Sequence, residues 1–205
     1  MNTRPTAAAI LLLILFSCSA AAAADGSPEI LQNSSLIDAK NNITINPEFN
    51  SAINPEHNSS IDPKSNSSIN PNSNSAINPR HNSSINPKHE SSINPIYALA
   101  LNPQHNQSLS PKDRSWSGFY HFNLDAQPIG AVVRADGENL VYFDSELSWA
   151  GYFSANSEGG YNWFNKDGDW IGFLINNGEQ GFNLFDNEGE WIGFLTQSAV
   201  FRDKS

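Results

Sequence analysis

Residues 162–195 read "NWFNKDGDWIGFLINNGEQGFNLFDNEGEWIGFL", in which the pentapeptide WIGFL occurs twice. Phe164 and Phe185 are 21 residues apart, as are Trp170 and Trp191, and Gly172 and Gly193. Counting the same interval backward lands on Phe143 and Phe122, and on Gly151 and Gly130. Four units result: "YHFNLDAQPIGAVVRADGENL", "VYFDSELSWAGYFSANSEGGY", "NWFNKDGDWIGFLINNGEQGF" and "NLFDNEGEWIGFLTQSAVFRD". The ninth column holds Pro128, Trp149, Trp170 and Trp191, and the fourth holds Asn123, Asp144, Asn165 and Asp186. A register kept through four copies is the signature of a structural repeat.

Each unit is too short for a helix-containing module. Its aromatic and β-branched clusters, separated by Gly, Asn and Asp, predict two short strands per unit. The Phe column centres the first strand, and WIGFL is the second. "DGD" and "EGE" supply hairpin turns whose glycine accepts positive φ. Eight strands in an antiparallel meander, closed into a barrel or flower by four-fold repetition, are therefore expected over residues 116–205; closure removes exposed edges. Strict alternation puts Trp191, Gly193 and Leu195 on one face and Ile192 and Phe194 on the other, so both faces are apolar. One face fills the core, and the other needs a cover: neighbouring units, the preceding part of the chain, or another molecule. The glycine inside WIGFL marks close backbone approach or a sharp bend.

On these residues, 116–202 resemble the four-fold β-flower family of small bacterial repeat proteins, in which an aromatic strand and a turn precede a "W-[IV]-G-[FY]"-like strand. "YNWFNKDGDWIGF" is also similar to WG-type repeats. The first unit departs from the pattern at Pro128 and Ala131. The resemblance implies a fold and carries no catalytic residues over.

Residues 45–115 repeat every eight residues, as in "INPEHNSS" and "INPRHNSS", with an aliphatic residue at 45, 53, 61, 69, 77, 85, 93, 101 and 109 and proline two residues later. "IDAKNNIT", within a 25–44 linker, is a degenerate copy. Asn-Pro pairs exclude helix and central strand. Two readings stand open: a low-complexity stalk with too little apolar area to order itself, and an irregular solenoid with Ile turned inward and Asn ladders along the coil. His57, His81, His89 and His105 share the fifth position with Phe49, Ser65, Ser73 and Tyr97, which reads as a variable exposed slot and not as a metal site.

Residues 1–24 have the layout of a secretory signal: Arg4, an apolar run, then small residues. Cys18, the only cysteine, ends "LFSC", which resembles a lipoprotein cleavage box; an incidental cysteine in a cleaved signal is the other reading. From Trp116 onward 13 acidic residues face 4 basic ones, most of the chain's net charge of -10, which argues against nucleic acid and anionic membrane as partners. Any membrane contact is then expected through the N-terminal anchor alone.

The turn carboxylates recur in every unit, unlike an acid–base pair in two different environments, and the glycine falls too early for an EF-hand. The sequence predicts no enzyme, no cofactor and no metal. It predicts an exported structural or interaction protein with cell-surface protein or glycan partners. The alternative is a glycan-binding module in which Trp149, Trp170 and Trp191 stack on sugar rings while Asp144, Asn165 and Asp186 bind hydroxyls.

Overall fold

The computed structural model describes residues 31, 33–112, 116–178 and 181–197. The signal segment and Cys18 lie outside the described residues. Eight strands form a closed antiparallel barrel in chain order: β1 Gly118–Phe122, β2 Pro128–Arg134, β3 Asn139–Phe143, β4 Trp149–Ala155, β5 Tyr161–Asn165, β6 Trp170–Asn176, β7 Gly181–Asp186 and β8 Trp191–Gln197. Pairing of Phe119 with Gln197 and of Phe122 with Phe194 closes β1 onto β8. The meander expected from the 21-residue repeat is the fold observed.

Alternation along the strands gives the barrel two apolar surfaces. Val132, Phe153, Leu174 and Leu195, one from each unit, are fully or almost fully buried in an inner cluster with Phe119, Leu140 and Leu184. Their neighbours in sequence face outward. Tyr152 stacks on Phe164, Phe173 on Phe185 and Phe122 on Phe194, with ring centroids 5.5, 5.4 and 5.3 Å apart, so three of the four seams between units carry an aromatic pair. At the fourth seam Ala131 faces Phe143.

The glycine column and the Phe column are coupled across these seams. A Cβ on Gly130, Gly151, Gly172 or Gly193 would lie 2.6, 2.3, 2.4 or 2.4 Å from the carbonyl oxygen of Phe143, Phe164, Phe185 or Phe122. Backbone occupies the space a side chain needs, which is why only glycine stands there.

The outer apolar surface is covered by the octapeptides. Among the described residues they form no α-helix and no ladder but a chain of turns in which asparagine replaces the missing backbone partners. The expected exclusion of helix fails only for one-turn 3-10 pieces at Ser83–Ile85, Ser91–Ile93, Leu99–Leu101 and Gln107–Leu109, short enough to fit between successive prolines. In a representative unit the Asn54 carbonyl accepts from the backbone N–H of His57 and Asn58, its Oδ1 accepts from Glu56 N–H at 2.8 Å, and its Nδ2 reaches back to the Pro47 carbonyl at 3.0 Å. The sixth-position residue Asn58 repeats the device, with Oδ1 on Ser60 N–H and Nδ2 on the Ala52 carbonyl. Asp62 keeps the accepting half and has no amide to donate. Such asparagine-linked turns run from Asn42 to Asn106.

Ile53 and Ile77 are 0 % and 1 % exposed, seated on the barrel. Their carbonyls accept buried hydrogen bonds from Asn183 (2.8 Å) and Asn162 (3.0 Å), the same column of consecutive units. Leu31 from the preceding linker and Ile45 from the start of the array join Leu109 from its end and Trp116 just beyond it in one outer cluster with Tyr120, Phe122 and Phe143. The array is thus a belt around the barrel. Of the two sequence readings, the stalk assumed that one aliphatic residue in eight had to supply a whole core; the belt instead uses the barrel's outer face as the other half of its core.

Belt and barrel run in opposite order with a fixed ratio. Ile53 meets unit four and Ile77 unit three, a step of 24 belt residues against 21 barrel residues. Lys64 pairs with Glu190 and Lys88 with Asp169, the same step again. Three octapeptides therefore span one barrel unit.

Candidate functional site

The tryptophan column does not lie where simple alternation puts it. Phe164 pairs with Trp170 while Trp163 pairs with Gly172, so Ile171 is an unopposed extra residue. The same one-residue bulge recurs at Ile129, Ala150 and Ile192. A bulge reverses the facing of everything before it. Ala150 and Ile192 therefore pack against the inner cluster, whereas Trp170 and Trp191 pack with the outer one around Phe164, Phe173 and Phe185, and Trp149 packs against the cluster of Trp116. Trp191 and Leu195, expected on one face, lie on opposite faces.

The three indoles begin β4, β6 and β8 at one rim of the barrel, and their partners differ. Trp149 and Trp191 are half-buried and donate Nε1–H to the carbonyls of Gly151 (2.9 Å) and Gly193 (2.8 Å) on their own strands. Trp170 is 8 % exposed, and its Nε1–H is buried without an acceptor. The Arg80 guanidinium lies over its ring, 4.9 Å from the centroid. Arg80, Lys88, Asp169 and Trp170 line a cleft of about 260 Å³ between belt and barrel. A second cleft, about 390 Å³, is lined by Lys40, Glu56, Asp125 and Trp191. A third, about 320 Å³, lies between Ile61, Ile69 and Ile77 of the belt and Leu174 and Ile175 of β6.

The fourth-column residues hold turns. Asp144 Oδ1 accepts from Glu146 and Ser148 N–H, Asn165 Oδ1 from Asp167 and Asp169 N–H, and Asp186 Oδ1 from Glu188 and Glu190 N–H, each at 2.9 Å. The turn glycines Gly168 and Gly189 have φ of 80° and 91°; Ala126 and Leu147 take the same position in the first two units with φ of 57° and 58°. Among the described residues no three His, Cys, Asp or Glu side chains converge.

Electrostatics follow the belt contacts. The Lys88 hydrogen bond holds the Asp169 carboxyl below its ordinary range, with Asn165 adding to the effect, and the Glu190 hydrogen bond raises Lys64. All four side chains are more than half exposed, so these pairs mark register more than they stabilise. Inside the barrel, His121 Nδ1 lies 3.2 Å from Tyr142 Oη while its Nε2 has no partner, and burial lowers its pKa to about 4. Burial also pushes the Tyr142 hydroxyl up to about 12.

Arg80 was not singled out from the sequence, although a signal for the belt's register was present: the lysines 40, 64, 88 and 112 recur every 24 residues, three octapeptides at a time. That period is informative only beside the 21-residue barrel unit. No family model, curated protein or solved structure matches the chain.

Proposed function

We propose that this chain is an exported, non-catalytic structural or interaction protein, acting at or outside the cell surface and, if Cys18 is lipidated, from a membrane anchor. The observation that carries this reading is how the repeated polar and aromatic residues are used. Asp144, Asn165 and Asp186 hold turns, Trp149 and Trp191 donate to their own strands, and the belt asparagines satisfy the belt's backbone. Residues so committed build a frame that leaves little repeated chemistry for turnover. A single cooperative unfolding transition spanning belt and barrel is expected of such a frame. Two transitions in calorimetry of the full chain would count against it.

A second reading, a glycan-binding module, is favoured by one observation: two of the three tryptophans border clefts of a size to admit a sugar ring. Titration of tryptophan fluorescence against a glycan panel separates the two. Absence of any response removes the second reading and leaves the first.

A further inference from the structure

The repeat makes the three tryptophan sites comparable position by position, and one of them is unlike its mates. A step of 24 along the belt and 21 along the barrel carries Arg80 over Trp170 onto Glu56 beside Trp191, and in the other direction onto Gln104 and Trp149. The same frame therefore presents a cation at one of these places and an anion at the next, and the 24-residue step assigns a neutral amide, Gln104, to the third. At the first of these alone the indole N–H is left without an acceptor; Trp149 and Trp191 donate to Gly151 and Gly193. Among the described residues Arg80 has no carboxylate partner, since the two ion pairs use Lys64 and Lys88.

We infer that the Arg80–Trp170 cleft is a binding site for a carboxylate-bearing sugar, the uronic acid class, and that the equivalent clefts are not. This deepens, and rests on, the glycan-binding reading. Arg80 offers a forked guanidinium matched to a carboxylate. Lys88 and Asp169, paired at the cleft wall, cancel in charge and leave Arg80 as the net positive charge of the lining, while the exposed Asp169 carboxylate accepts hydrogen bonds from hydroxyls. The Trp170 ring supplies an apolar face once Arg80 turns from it to the carboxylate. At about 260 Å³ the cleft admits one pyranose and not an extended chain. At the Trp191 cleft the carboxylates of Glu48, Glu56 and Asp125 outweigh Lys40 and repel the same ligand.

The test uses the full chain, 15N-labelled at tryptophan, titrated with glucuronate and separately with glucose while the indole N–H resonances are followed. Glucuronate is expected to move the Trp170 resonance at concentrations where glucose does not. Arg80→Gln, which installs the side-chain type of Gln104, is expected to weaken glucuronate binding at least about tenfold, the size of one lost charge-assisted hydrogen bond. Glu56→Gln, in the equivalent cleft, is expected to leave it unchanged, and a heat-denaturation profile shared by both variants and the parent keeps folding out of the comparison. Equal response to glucose and glucuronate, or glucuronate binding unaffected by Arg80→Gln, overturns the inference while the glycan reading survives. No response to either sugar overturns the inference, and the titration against the glycan panel then decides the glycan-binding reading by itself.

Discussion

The side chain of Asn183 on β7 donates to the backbone carbonyl of Ile53, 130 residues earlier, in a site closed to water. One barrel unit away, Asn162 does the same to Ile77. The two bonds tie an octapeptide belt to a barrel with a different period, at the points where the two periods coincide. Asn183→Ala leaves the Ile53 carbonyl buried and unpaired, and is expected to cost roughly 1–3 kcal/mol in denaturant unfolding. The loss should be read equally by a probe in the belt and by tryptophan fluorescence in the barrel.

Removal of the octapeptide 69–76 tests the ratio itself. Ile53 and Ile77 would then be 16 residues apart across a 21-residue barrel step, and either Asn183 or Asn162 loses its partner. A lower melting temperature is expected. His81→Ser, which changes a residue in the variable fifth slot also held by Ser65 and Ser73, should move stability by no more than about 0.5 kcal/mol.

Two kinds of glycine should respond differently to alanine. Gly172→Ala forces a Cβ to within 2.4 Å of the Phe185 carbonyl oxygen, a backbone clash expected to cost roughly 1–3 kcal/mol or more. Gly168 has φ of 80° and room for a methyl, its nearest neighbours being Pro87 and Tyr152 at 3.5 Å, so Gly168→Ala should cost about 1 kcal/mol of conformational strain alone. The reciprocal change, Ala126→Gly at φ 57°, should stabilise by up to about 1 kcal/mol. Chemical denaturation of the three variants checks the order.

His121 sets the acid limit. Its pKa is lowered from 6.5 to about 4 in the folded protein, so between these values the unfolded chain binds the proton and the native barrel does not. Stability from this group is complete above pH 6.5 and is lost as pH falls toward 4, by on the order of 3 kcal/mol. His121→Leu, the residue type at Leu184 in the equivalent position of unit four, should flatten that part of the curve. At the alkaline end Tyr142, raised from 10 to about 12, contributes stability that is lost as pH climbs through this range. Denaturation midpoints measured across pH test both limbs.

The barrel was legible in the 21-residue register because its information is local. Phe and Gly columns spaced one unit apart encode strands and turns, and four copies of a two-stranded unit leave closure as the way to remove both edges. The glycine of WIGFL was legible as a place of close backbone approach. The facing of Trp149, Trp170 and Trp191 was not, because the bulges at Ala150, Ile171 and Ile192 are defined by pairing with the neighbouring strand, and alternation within WIGFL contains no trace of it. The roles of Asp144, Asn165 and Asp186 were half visible, since turn chemistry and ligand chemistry use the same side chains.

The belt divides the two kinds of information most clearly. By itself the sequence determined a chain of Asn-Pro turns with one aliphatic residue in eight, and a barrel with apolar residues on both faces. Only the tertiary structure decided that each completes the other. Neither segment can bury its apolar residues alone, and the free energy that orders the belt comes from contacts between residues 85 to 130 positions apart. The same contacts put Arg80 over Trp170, a pairing absent from either repeat read separately.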